Sequence, residues 1–207
     1  VGLTHSLDQP TWDLLRQTGT IHLVAISGLH LTFIALWCFI ILKTLFGFCM
    51  IQKPAPYQIA AVISLIIAIG YALLAGMSLP TQRALIMFGI FMIALLIRYP
   101  ILNFQSLATA LFIILILSPF SVVTIGFWLS FTAVLILMLL SQYRFSFIIS
   151  LLLTQLIIST LAIPIVASFF NEISLISPLA NLFAIPWTTL LILPFLLIGI
   201  LILPISS

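Results

Sequence analysis

The chain has 207 residues, of which 64% are hydrophobic and 4% charged. A soluble domain carries about 25% charged residues, so that class is excluded. The net charge of +3 is too small to argue for nucleic-acid binding by itself.

A mean hydropathy of +1.46 makes this an integral membrane protein. Lipid admits only helices or closed barrels, because every backbone polar group must be satisfied internally. The apolar runs are long and lack period-2 alternation, so they are helices. The predicted fold is all-α: a polytopic transmembrane helical bundle of about seven spans, with broken or re-entrant helices. No signal peptide with a cleavage site is visible, and the expectation is the membrane part of a larger protein. Cys38 and Cys49 on one continuous helix would lie about 16 Å apart, too far for a bridge.

Residues 1–19 form an amphipathic leader. Asp8 suits a helix cap, Pro10 the first turn, and Gly19 the position past the end. Trp12, Leu14 and Leu15 alternate with Asp13, Arg16 and Gln17, which predicts a short helix lying in the interface. A solvated leader is the alternative. Residues 20–207 form the transmembrane domain. Its first span is predicted over Thr20–Leu42, followed by Lys43, Lys53 and a stiff connector at Pro54 and Pro56. The second covers Tyr57–Gly76. A tight Met77-Ser78-Leu79-Pro80 turn leads to the third, Thr81–Ile97. A short fourth span, Gln105–Leu117, is broken by Ser118-Pro119. The fifth runs over Val122–Leu140 and the sixth over Phe145–Phe170, with Pro164 inside. The segment holding Pro178, Asn181 and Pro186 is too interrupted for a plain span and predicts a split or re-entrant helix. A last span, Trp187–Leu203, is kinked at Pro194.

If the spans alternate, Lys43, Lys53, Arg98 and Arg144 share one side, and Arg16 and Arg83 the other. The excess of basic residues places the Lys43 side in the cytoplasm.

Polarity inside the first span is concentrated in HLVAISGLH, His22 to His30. Polar groups at membrane depth are costly and face a bundle interior or a water-filled path. His22, Ile26 and His30 share one side of a helix, while Ser27 and His30 are three apart. Gly28 weakens the helix and admits a close backbone neighbour. Three readings of these residues stand open: hydrogen-bonding glue between helices, the wall of a conduit, and a hydrolase with Ser27 as nucleophile and His30 as base. A metal site is disfavoured, because His22 and His30 would stand about 12 Å apart along a straight helix and acidic ligands are scarce. No cofactor is expected, and the chain carries no P-loop.

Arg83 begins a span, where the helix dipole already favours anions. It is either a snorkelling interfacial arginine or a planar fork offered to phosphate at a pore mouth. Glu172 is the only acid after Asp13 and sits at a membrane boundary beside Asn171. It belongs to an exposed turn or pairs with Arg83 or a histidine. Asn181 is placed to satisfy backbone groups freed between Pro178 and Pro186.

The stretch HLVAISGLH resembles the signature of the ComEC family, the competence proteins that carry DNA across the inner membrane. GMSLPTQRALIM, Gly76 to Met87, resembles the family's G-x-S-x-x-x-x-R-A-x-x-M block. SPFSVVTIGFWLSFTAV, Ser118 to Val134, and SLISPLANLFAIP, Ser174 to Pro186, resemble two further blocks in the same order. Where the family usually has Asp before the Pro, this chain has Ser118. The resemblance implies a multi-pass inner-membrane channel, not itself an enzyme, that passes single-stranded transforming DNA into the cytoplasm. The matching positions are His22, Ser27, Gly28, His30, Arg83, Ser130 and Asn181. The implied partners are an outside DNA receptor, a cytoplasmic helicase-like ATPase, and OB-like and nuclease-like domains of the full chain. An intramembrane serine hydrolase and a small-solute transporter are the rival functions.

Overall fold

The computed structural model describes residues 8–18, 20, 28–49, 56–99, 103–143, 146–170, 176–195 and 199. They are helical and turn residues throughout, in two compact units: one formed chiefly by Ser27–Leu139, the other by Gly2–Ile26 and Leu140–Ser207.

The first unit holds α2 (Gly28–Cys49), α3 (Pro56–Leu74), α4 (Leu79–Leu96), α5 (Phe104–Leu117) and α6 (Ile125–Leu140). Three of them, Gly28–Phe48, Pro56–Leu74 and Leu79–Leu96, are long and apolar enough to cross a bilayer. The 22 residues of α2 reach about 33 Å against a hydrocarbon core of about 30 Å. Phe104–Leu117 and Ile125–Leu140 are apolar but shorter.

Packing here inverts the soluble rule. Ala60, Ala61, Ser64, Ala68 and Ala72 form a fully buried stripe along α3. Val62, Ile66, Ile69 and Leu73 on the same helix are exposed. Lipid is as apolar as leucine, so helices gain by bringing small residues together and leaving the large ones outside. The stripe packs with Leu31, Ala35 and Phe39 of α2 and Phe88 and Met92 of α4. The Ser64 hydroxyl stays satisfied by donating to the Ala61 carbonyl at 2.9 Å. An Ala68→Leu variant is therefore expected to force α3 off its neighbours and cost about 1–3 kcal/mol. A lowered unfolding temperature in detergent checks this.

α4 sits between two cores. Its Phe88 and Met92 enter the first, while Met87 joins Leu107, Ala110 and Ile114 of α5 and Phe127, Phe131 and Met138 of α6 in the second. Phe127 is a buried core ring, 4.8 Å centroid to centroid from Phe131.

The α3–α4 turn explains why α4 starts where it does. Gly76 and Met77 adopt positive φ, +74° and +49°. Met77 N–H donates back to the Ala72 carbonyl at 3.0 Å. Ser78 precedes the helix with Pro80 in its first turn. The Ser78 and Thr81 hydroxyls pair at 2.7 Å, and Gln82 Nε2 donates to the Met77 carbonyl at 2.7 Å.

Two boundaries differ from the sequence expectation. The predicted first span, Thr20–Leu42, begins among residues outside the described ones, and its helix does not end at Leu42: it continues through Lys43 to Cys49. Lys43 is exposed on the helix, so its long stem can carry the charge outward without ending the apolar run. Cys38 and Cys49 thus lie on one helix, and Cys38 is a free thiol. The predicted fifth span starts too early at Val122, because Pro119–Val123 is a 3₁₀ turn and α6 begins at Ile125. Thr124 separates the two, its hydroxyl donating to the Ser121 carbonyl at 2.6 Å.

The second unit holds α1 (Gln9–Gln17), α7 (Phe147–Phe170) and α8 (Ser177–Trp187). Asp8 precedes α1 and accepts from the Thr11 hydroxyl. The segment around Pro186 does not break at Trp187. α8 passes directly into a π-helical turn, Thr188–Ile192. Proline lacks the N–H that would close the preceding turn. The Thr188 hydroxyl shares its proton between the Ala184 and Ile185 carbonyls at 2.8 and 3.0 Å, and that of Thr189 donates to Ile185. Hydroxyls thus satisfy carbonyls within the turn, and the backbone stays helical.

Candidate functional site

In the first unit four buried polar residues, His30, Thr81, Arg83 and Ser121, gather at one end. The described part of α2 begins at Gly28, the chain turns between α3 and α4 at 75–78, and it turns again between α5 and α6 at 118–124. Antiparallel neighbours bring these three places to the same end.

Gly28 is the closest contact there. A Cβ on it would lie 2.6 Å from the Pro80 carbonyl oxygen and 2.8 Å from Ala84 Cβ. The start of α2 therefore packs directly on the turn of α4 that carries Arg83. His30, two residues further along α2, is buried beside Leu31.

Arg83 is 5% exposed, and its Nε has no hydrogen-bond partner among the described residues. The guanidinium lies against α6, where a Cβ on Gly126 would come within 2.9 Å of Nη2. Between Asp13 and Glu172 the sequence holds no Asp or Glu, so the first unit has no carboxylate for this cation. Buried charges ordinarily need one.

Beside Arg83 lies a recess with room for about one water molecule. Gln82, Ser118 and Ser121 are its other polar walls, and Leu79, Ile86, Ile114 and Leu117 close it. Ser121 is 4% exposed and its Oγ also lacks a partner among the described residues. Two residues that each keep a buried polar atom without a partner among the described residues thus line one small space.

The sequence candidates divide accordingly. Gly28, His30 and Arg83 are brought to one end of the first unit. Asn181 belongs to the second unit, buried in α8. Its Nδ2 donates to Ser177 Oγ at 3.1 Å, while its Oδ1 has no partner among the described residues. Ser130 satisfies itself by donating to the Phe127 carbonyl of its own helix at 2.9 Å. His22, Ser27 and Glu172 lie outside the described residues. Sequence reasoning missed Ser121 and Gly126. The signal that points to them is the acid-free stretch around Arg83, which demands that the cation be accommodated by neutral residues. Among the described residues no group of three or more His, Cys, Asp or Glu is arranged to hold a metal.

The family profile described as Competence protein matches residues 1–207. The chain is similar to competence protein ComA of Neisseria gonorrhoeae, 33% identical over 96% of this chain and 29% of that protein. It is similar to recombination protein 2 of Haemophilus influenzae, 30% identical over 94% of this chain and 26% of the relative. It also matches ComE operon protein 3 of Bacillus subtilis, 28% identical over 93% of this chain and 24% of the relative. The chain therefore spans about a quarter of the length of these curated relatives. No solved structure matches it.

Proposed function

The chain belongs to the competence protein family, and from that premise we propose that it forms the membrane conduit through which one strand of transforming DNA reaches the cytoplasm. The observation that carries this reading is a buried arginine, without a carboxylate in its unit, at the polar end of the bundle. A single strand is a chain of negative charges, and its passage needs cations and polar donors without a deep trap.

The architecture is a multi-pass bundle of about seven spans in the inner membrane, with residues 1–19 as an interfacial leader. The end that carries Arg83 faces outward, because the basic residues at the other ends predominate. Arg83 then stands at the mouth where the strand arrives. His30 and Gly28 line the approach beside it, with His22 and Ser27 preceding them in sequence. Asn181 and Glu172 contribute polar groups from the second unit. A separate motor or the proton gradient draws the strand. An outside DNA receptor, a helicase-like ATPase and the OB-like and nuclease-like parts of the full chain act with it.

The test uses the full-length protein in transformable cells. His30→Ala should lower labelled DNA reaching the cytoplasm by about tenfold or more, the scale of a lost hydrogen bond to a charged group. Membrane levels and binding of DNA outside should persist. Uptake at the parental rate would make His30 a packing residue. The rival hydrolase is separated by a serine-directed fluorophosphonate probe, whose labelling of Ser27 would favour the enzyme.

A further inference from the structure

Among the described residues, Arg83 and Ser121 are the two of the first unit that keep a buried side-chain polar atom without a partner, and both line one recess. Each is more than nine-tenths buried, and each lines the same recess. They come from different elements, the second turn of α4 and the 3₁₀ turn after α5. Gly126 at the start of α6 leaves the room in which Nη2 sits. Three elements thus converge to hold one guanidinium and one hydroxyl.

The chemistry of what fits is narrow. The fixed charge of the site is positive and the unit has no carboxylate to neutralise it, so the ligand supplies negative charge. The space admits about one oxygen-sized atom, less than a tetrahedral ion. The ligand therefore offers a single anionic oxygen from a group that remains at the mouth. Resting on the strand-passage reading above, we infer that the recess is a seat for one phosphodiester oxygen of the passing strand, held by Arg83 and by the Ser121 hydroxyl. Gly126 is a positioning residue: it keeps the guanidinium in the seat and touches no ligand. Gln82 and Ser118 are the polar rim. A seat of two donors holds each phosphate briefly and treats every base alike.

The test measures binding of oligo(dT) and oligo(dC) to the full-length protein in nanodiscs by fluorescence anisotropy, across a salt series. Comparison of variants on one background cancels the contribution of other parts of the chain. Arg83→Gln should weaken both oligonucleotides equally and flatten the slope of log affinity against log salt by about 0.7, the value for one single-strand phosphate contact. Ser121→Ala should weaken binding about tenfold with the slope unchanged, since it removes a neutral donor. Gly126→Ala should fold normally, because only a side-chain tip must move, and should still weaken binding. Three results would overturn the seat. If the parent binds and all three variants bind as it does with the same slope, the seat is wrong while strand passage survives. If the parent itself binds neither oligonucleotide, strand passage fails and the seat with it. If the variants instead lose co-purifying anionic phospholipid with oligonucleotide binding intact, the oxygen belongs to a lipid headgroup.

Discussion

Arg83→Ala is expected to stop DNA uptake while leaving the protein as stable as its parent, or more so. The two effects separate because they have different origins. Arg83 is buried and its unit supplies no carboxylate, so its charge carries a desolvation cost that no acid of that unit offsets. Removing it relieves that cost. An arginine kept for packing or for an ion pair would behave in the opposite way, and its loss would lower stability by about 3–5 kcal/mol. On the functional side, the variant loses the planar fork that meets phosphate oxygens, and uptake should fall by about a hundredfold. Arg83→Lys keeps the charge without the fork and should retain part of the activity. Transformation frequency and the unfolding temperature of the purified protein, measured on the same variants, report the two effects.

The second large effect is expected at Gly28. A methyl group there would lie 2.6 Å from a backbone carbonyl oxygen, that of Pro80, and 2.8 Å from Ala84 Cβ. Neither atom can swing away. α2 must move off α4, and Gly28→Ala should cost about 2–3 kcal/mol, with membrane levels and uptake falling together. Ala84→Gly added to it removes one of the two clashes and should restore stability in part. Gly126→Ala makes the instructive contrast. Its nearest neighbour, at 2.9 Å, is the tip of the Arg83 side chain, which can shift. Stability should be kept there and function lost. Levels on immunoblots, set beside uptake of labelled DNA, distinguish these patterns.

Much of this architecture was legible in the residues. The predicted spans Tyr57–Gly76, Thr81–Ile97 and Gln105–Leu117 lie within two residues of α3, α4 and α5. Gly76, Pro80, Pro100 and Pro119 punctuate those spans, and such punctuation acts locally. The close neighbour expected at Gly28 is the Pro80 backbone. α2 was not legible to its end, because Lys43 reads as the stop of the uncharged run Gly19–Leu42. Its continuation past Lys43 depends on the exposed position of that side chain, which only packing decides. The π turn after Pro186 was read as a break, because composition does not reveal that Thr188 and Thr189 accompany the proline by bonding carbonyls one turn back. At the site, Arg83 stood out by charge. Ser121 and Gly126 did not, since a serine in a turn and a glycine at a helix start are ordinary until three elements bring them to one guanidinium.

A strand that passes the Arg83 end of the first unit should come within crosslinking distance of the side chains there. Benzoylphenylalanine is placed at Gln82 or Ser118, which line the recess, and, as references, at Ile66 or Phe112, which are exposed on helix faces. Transformable cells carrying each full-length variant take up labelled DNA and are irradiated during uptake. Strand passage at this end should give covalent DNA adducts from positions 82 and 118, and none above background from 66 and 112. Adducts at the reference positions, with none at Gln82 and Ser118, would contradict it and place the path elsewhere.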